Sequence, residues 1–147
     1  MNNTTKISCT IGTIGTNDPG AELGLEVWLD DQQLFDTNHV TDQPLEWQVT
    51  EDEADHELRF IMKNKTTDHT QVDENGKIIQ DSRITIQNLC FDEIALGQLV
   101  LDHAEYTHNF NGTKDSVTDK FCGEMGCNGT ASLKFSTPIY IWLLENM

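Results

Sequence analysis

Oxygen-bearing side chains gather around one polar stretch of this chain. Asp68, Asp73, Asn75, Asp81, Asp92 and Glu93 surround residues 64–80 in sequence. Calcium takes roughly six to eight hard oxygen ligands, drawn from carboxylates, amide carbonyls and backbone carbonyls. Asp73, Asn75, Asp81 and Asp92 are therefore the candidate metal ligands, and Ca2+ is the cofactor they imply. Asp73-x-Asn75-Gly76 has the opening of an EF-hand loop. Gln80 then stands where that loop would continue, and no helical pattern flanks it, so an EF-hand is excluded. The carboxylates Asp73, Asp81 and Asp92 also serve an alternative reading, a small glycan-active enzyme that uses paired acids.

Aromatic rings offer a second chemistry, since a flat apolar face with a polar edge stacks on a sugar ring. The candidates are Trp28, Trp47, Tyr106, Tyr140 and Trp142. Trp47 and Trp142 sit among Leu, Val and Ile, which predicts core positions. Trp28 differs. If Leu25, Val27 and Leu29 point inward, Trp28 points outward with Glu26 and Asp30. Trp28 and Tyr106 are the candidate ligand-binding residues.

Histidine and cysteine add less. His103 and His108 flank Tyr106; on a strand, His103 shares a face with Glu105, and Tyr106 with His108. His39, His56 and His69 are isolated in polar segments. No Ser-His-Asp order, His-x-x-x-His pair or Gly-rich phosphate loop is present. The non-catalytic reading leads, because a glycosidase cleft usually needs more surrounding loop than a lone 147-residue sandwich offers. Cys122 and Cys127 enclose Gly123-Glu124-Met125-Gly126, a spacing open to a local disulfide or to half of a metal site. Cys9 and Cys90 fall in apolar strand-like runs and read as buried thiols.

The elements that must position these groups are strands. Apolar residues alternate at Ile7, Cys9 and Ile11; at Leu23, Leu25, Val27 and Leu29; and at Leu45, Trp47 and Val49. They alternate again at Leu58, Phe60 and Met62, at Ile84 and Ile86, and at Leu133 and Phe135. A side-chain period of two is the mark of a half-buried strand. Ile139–Leu144 fits a buried strand or a short terminal helix, and its β-branched and aromatic content favours the strand. Turn chemistry punctuates the runs at Asn17-Asp18-Pro19-Gly20, at Asp30-Asp31, and at the Asn-Gly pairs 75–76, 111–112 and 128–129. Residues 64–80 read as a long loop or exposed hairpin. Thr50–His56 is the most helix-compatible piece, with an acidic start suited to one helical turn. The expected fold is all-β: a single-domain antiparallel β-sandwich over residues 1–147, jelly-roll-like.

Composition narrows the partners. The 147 residues carry 25 Asp and Glu against 9 Lys and Arg, a net charge of -16. A nucleic-acid or anionic-membrane binder needs clustered cations, so both are excluded as partners. The apolar stretches Ile94–Leu101 and Ile139–Leu144 fall well short of the ~20 residues of a membrane span. Met1–Lys6 lacks a basic region followed by an apolar run, so no secretory signal is expected.

One stretch resembles a known family. Glu26-Val27-Trp28-Leu29-Asp30, followed by Gln33-Leu34-Phe35, is similar to the opening strand and turn of small calcium-dependent xylan-binding carbohydrate-binding modules. His56–Asn64 resembles their central strand. Asp81-Ser82-Arg83-Ile84-Thr85-Ile86, with Phe91-Asp92-Glu93-Ile94, resembles a later strand and its following element. The match spans Glu22–Leu96. It implies a sandwich whose loop carboxylates hold an ion that contacts sugar hydroxyls. Lys65 after Asn64, and Asp31 after Asp30, depart from the family pattern.

The acidic, Asn- and Thr-rich chain as a whole resembles proteins of marine tailed bacteriophages. That likeness implies a virion or accessory protein, located in the virion or the host cytoplasm. Its partner would be a glycan or a neighbouring virion protein, and assembly as a homo-oligomer is compatible with it.

Overall fold

The structure is a computed structural model. It describes residues 4–14, 23–65, 70–72, 74–76, 78–109 and 114–146, with backbone alone at 70–72, 78–81 and 101. In chain order the elements are β1 (Thr4–Ile14), β2 (Gly24–Leu29), β3 (Gln32–Thr37), β4 (Gln43–Thr50), β5 (Asp55–Lys63), β6 (Thr70–Val72) and β7 (Ile78–Asp81). There follow β8 (Arg83–Phe91), β9 (Ile94–Ala95), α1 (Gln98–His103), β10 (Ala104–His108), β11 (Val117–Lys120), β12 (Glu124–Met125), β13 (Gly129–Ser136) and α2 (Ile139–Asn146).

The strands form an antiparallel β-sandwich. One sheet has the order β12-β8-β1-β4, with β9 on β8; the other has the order β11-β10-β13-β5-β2-β3. β6 and β7 make a separate hairpin. Sequence neighbours are split between the sheets: β1 pairs with β4 and β8, while β2 and β3 belong to the opposite layer. This crossing gives the jelly-roll character.

Alternation builds the core directly. Ile7, Cys9 and Ile11 of β1 face Leu25 and Val27 of β2, Leu58, Phe60 and Met62 of β5, and Ala131, Leu133 and Phe135 of β13 in one buried cluster. Each fully buried large side chain contributes roughly 1.5–3 kcal/mol. Trp142 closes one end, with ring centroids 6.0 Å from Phe91 and 6.4 Å from Phe135.

Four local expectations are corrected. Ile139–Leu144 lies in α2, not in a strand. Pro138 has its ring-fixed backbone at the helix entrance, and its carbonyl accepts from the Ile141 and Trp142 amides. Burial of Ile139, Trp142 and Leu143 at i, i+3 and i+4 then outweighs the strand propensity of the run. Thr50–His56 holds no helix; β4 runs through Thr50, and β5 begins at Asp55. His103 ends α1, so it shares no strand face with Glu105. Trp47 is only partly buried, between buried Leu45 and Val49. The predicted turns at Asn17–Gly20 and Asn111–Gly112 lie outside the described residues.

Two glycines have conformational reasons. Gly76, in the β6–β7 turn, has φ +81°. At Gly129 a Cβ would overlap the Thr107 carbonyl oxygen, so β13 reaches β10 only without a side chain there.

Candidate functional site

The outward face of the six-stranded sheet presents an ordered array of polar groups. Strand register lines up Gln33, Trp28, Arg59, Ser132, Glu105 and Lys120 in one row across all six strands. The next row is Asp36, Glu26, Ile61, Thr130, Thr107 and Thr118. Trp28 follows a register shift between β2 and β3, a bulge that re-aims a side chain. Its Nε1 donates to Glu26 Oε1 at 3.0 Å, and Gln33 Nε2 donates to the same oxygen at 3.0 Å. The Arg59 guanidinium lies 5.8 Å from the Trp28 ring centroid, at the outer reach of a cation–π contact. Arg59 Nη2 donates to the Asp30 carbonyl at 2.6 Å. Ser132 Oγ donates to Glu57 Oε2 at 2.6 Å. Lys63 donates to Asp36 and sits 3.3 Å from Glu26; the Asp36 hydrogen bond does most to raise its pKa.

Charge is distributed unevenly. Four of the nine cations, Arg59, Lys63, Lys120 and Lys134, stand on this face, with Glu26, Asp36, Asp55, Glu57 and Glu105. The face is near neutral in a strongly acidic chain. Trp28 is half-buried and fixed by its neighbours, while Ser132, Thr107, Thr118 and the charged ends supply donors and acceptors. A rigid ring within a polar array is a surface that a sugar can stack on and hydrogen-bond to.

At one end the face runs into a cavity of about 440 Å³, lined in part by Asp30, Asp55, His56, Glu57, Phe135 and Trp142. His56 is clamped there. Nδ1 is 2.7 Å from Asp30 Oδ2, and Nε2 is 2.8 Å from Asp52 Oδ1. The His56 side chain is 9% exposed, and its ring packs on Phe135 at 5.6 Å. Burial lowers the imidazole pKa, but the hydrogen bonds and charges of Asp30 and Asp52 together outweigh it, so the pKa is raised. The hydrogen bond with His56, then one from Thr137, holds the Asp52 carboxyl below its ordinary value. Asp30 reaches this position because it forms the two-residue β2–β3 turn at φ 51°. Its Oδ1 also accepts from the Glu57 amide at 2.9 Å.

The residues singled out in the sequence fall in separate places. Trp28 is on the outward face beside Glu26, as its alternation predicts. Tyr106 is not: it is 8% exposed and points into the sandwich, with its hydroxyl donating to the Cys127 carbonyl and accepting from the Cys127 amide. Burial pushes that hydroxyl up to about 12. Asp68 and Asp73 lie outside the described residues. Asn75 is exposed in the β6–β7 turn, and Asp81 ends β7. Asp92 follows β8 at its far end, where it accepts from the Lys6 amide at 2.8 Å and from the Tyr140 hydroxyl at 3.0 Å. The nine residues of β8 separate Asp81 from Asp92 by about 25 Å, at ~3.3 Å per residue. Those two cannot ligate one ion, nor flank one glycosidic bond, so the expected four-residue metal set is not assembled. Among the described residues no group of three or more His, Cys, Asp or Glu is placed to hold a metal.

Cys122 is an exposed free thiol, which removes the local disulfide with Cys127. Arg59, Asp30 and His56 are not among the site residues the sequence singles out. Arg59 was legible only as an outward strand residue, and His56 meets Asp30 across 26 positions, which no spacing rule joins. No helix among the described residues is long and apolar enough to cross a membrane.

No family model matches the chain, and no curated protein matches it. Among solved structures it is similar to one described as "vCBM60 in complex with galactobiose", a carbohydrate-binding module. The TM-score is 0.52 at 11% identity, over 87% of this chain and 96% of the other. At that identity the likeness is one of fold.

Proposed function

We propose that the chain, as one sandwich over residues 1–147, is a non-catalytic carbohydrate-binding module whose ligand lies on the outward face of the six-stranded sheet. The observation that carries this reading is the row Gln33–Trp28–Arg59–Ser132–Glu105–Lys120, which sets one fixed aromatic ring among donors and acceptors of both charges. The fold likeness to a module bound to galactobiose supports it. Trp28 is the stacking surface, Arg59 orients it, and Gln33 and Ser132 hydrogen-bond hydroxyls. The resemblance to bacteriophage proteins adds a setting, an accessory or virion component, for which mass spectrometry of purified particles is the check.

Affinity electrophoresis against a panel of polysaccharides, with galactobiose titrated by calorimetry, tests the site. Trp28→Ala is expected to abolish retention on whichever glycan binds the native protein. The loss of a half-buried ring at the sheet surface costs about 1–2 kcal/mol of stability, so the variant still folds. Full retention by a folded Trp28→Ala protein would refute the site.

A further inference from the structure

The helix α2 is apolar on every side. Ile139, Trp142 and Leu143 take its buried side. Tyr140, Ile141 and Leu144 are 51%, 53% and 77% exposed. Positions i, i+1 and i+4 fall together on the surface of a helix. The Tyr140 hydroxyl donates to Asp92 at 3.0 Å, which sets α2 beside the β8–β9 turn, where Ile94 is 39% exposed. Four of the six exposed large hydrophobic side chains among the described residues are thus gathered at one end of the sandwich. A cavity of about 260 Å³ opens beside them, between Ile94, Leu99 and Leu143. Apolar residues exposed singly are ordinary, whereas a contiguous patch with a recess in it marks a contact surface.

The charge at its edge selects the occupant. Asp102 lines the recess, Glu145 is exposed on α2 next to Leu144, and Asp92 and Glu93 form the adjoining turn. Lys6, the cation at this turn, is taken up by Glu93 at 2.9 Å and Glu46 at 3.6 Å. This edge is acidic where the sheet face is balanced. A second copy would bring the same acids against themselves, and like charges at an interface are repulsive.

We infer that the Tyr140–Ile141–Leu144 face of α2 docks a segment of a partner protein that presents aliphatic side chains flanked by lysine or arginine. An aliphatic side chain of the partner enters the recess at Leu143, and its cations meet Asp102 and Glu145. This surface is separate from the glycan face.

Fluorescence anisotropy with a labelled amphipathic helical peptide of leucine and lysine tests it, with serine–lysine and leucine–glutamate peptides as comparisons. The leucine–lysine peptide is expected to bind, and the other two at least tenfold more weakly. The double variant Ile141→Ser, Leu144→Ser is expected to lose at least tenfold in affinity for the leucine–lysine peptide. Both side chains are exposed, so its melting temperature should hold. Equal binding of the serine–lysine peptide, or binding unchanged in the double variant, overturns the inference. So does self-association in sedimentation velocity that the double variant disperses, because the occupant is then a second copy. Glycan retention unchanged in the double variant keeps this surface distinct from the Trp28 face.

Discussion

Replacing His56 with alanine should destabilise the protein, and the cost should depend on pH in a direction set by the clamp. The ring is 9% exposed and packs on Phe135, so its packing contributes roughly 1–1.5 kcal/mol. The two hydrogen bonds to carboxylates would be worth more if sealed from water. The Asp30 and Asp52 side chains are 45% and 46% exposed, so what His56 gains from the two bonds together is discounted to about 1–1.5 kcal/mol. Together the loss is about 2–3 kcal/mol, or roughly 4–12 °C in melting temperature for a chain of this size. Because the folded pKa of His56 is raised above its unfolded value of about 6.5, the charge-dependent part is fully present below that value. It is lost as pH rises through the folded pKa. Thermal unfolding of both proteins at pH 5.5 and pH 9 measures this. The gap between native and His56→Ala should be wide at pH 5.5 and shrink toward the packing part at pH 9. An equal gap at both values, or a wider one at pH 9, would refute the reasoning.

Two further outcomes are expected. If calcium raises the melting temperature, Asp81→Asn and Asp92→Asn should not both abolish that response, because the two stand at opposite ends of β8; a response lost in each of them would contradict the separation. A thiol reagent should modify exposed Cys122 in the native protein and leave Cys9 untouched until denaturant is added, since burial, and then the neighbouring Cys90, push the Cys9 thiol up to about 12.

The strands were largely legible because alternation reports burial on a pleated surface directly. Leu58, Phe60 and Met62 point inward, and Arg59, Ile61 and Lys63 outward, as the pattern requires. Trp28 was found by the same rule. α2 was misread because apolar residues on its exposed side hide the helical period of its buried side. Tyr106 was misplaced for a related reason: its hydrophilic neighbours Glu105 and Thr107 belong to the other face of β10, and its own hydroxyl is satisfied by the Cys127 backbone inside the sandwich. Asp92 drops out of a shared site with Asp81 on distance. Residues close in sequence on either side of a long strand are far apart in space, and composition carries no such information. The His56 clamp was invisible because its parts come from a turn, a connection and a strand that meet only through sheet pairing.

The uneven placement of cations gives the molecule an electric dipole. Its less negative end lies over the near-neutral face that carries Arg59, Lys63, Lys120 and Lys134, and its negative end over the rest of the surface. In an external electric field such a molecule turns, with the Trp28 face toward the more negative side. Rotational steering of this kind favours encounters in productive orientation over collisions on the acidic side. Its reach is about one Debye length, ~8 Å at physiological salt and shorter in more saline water.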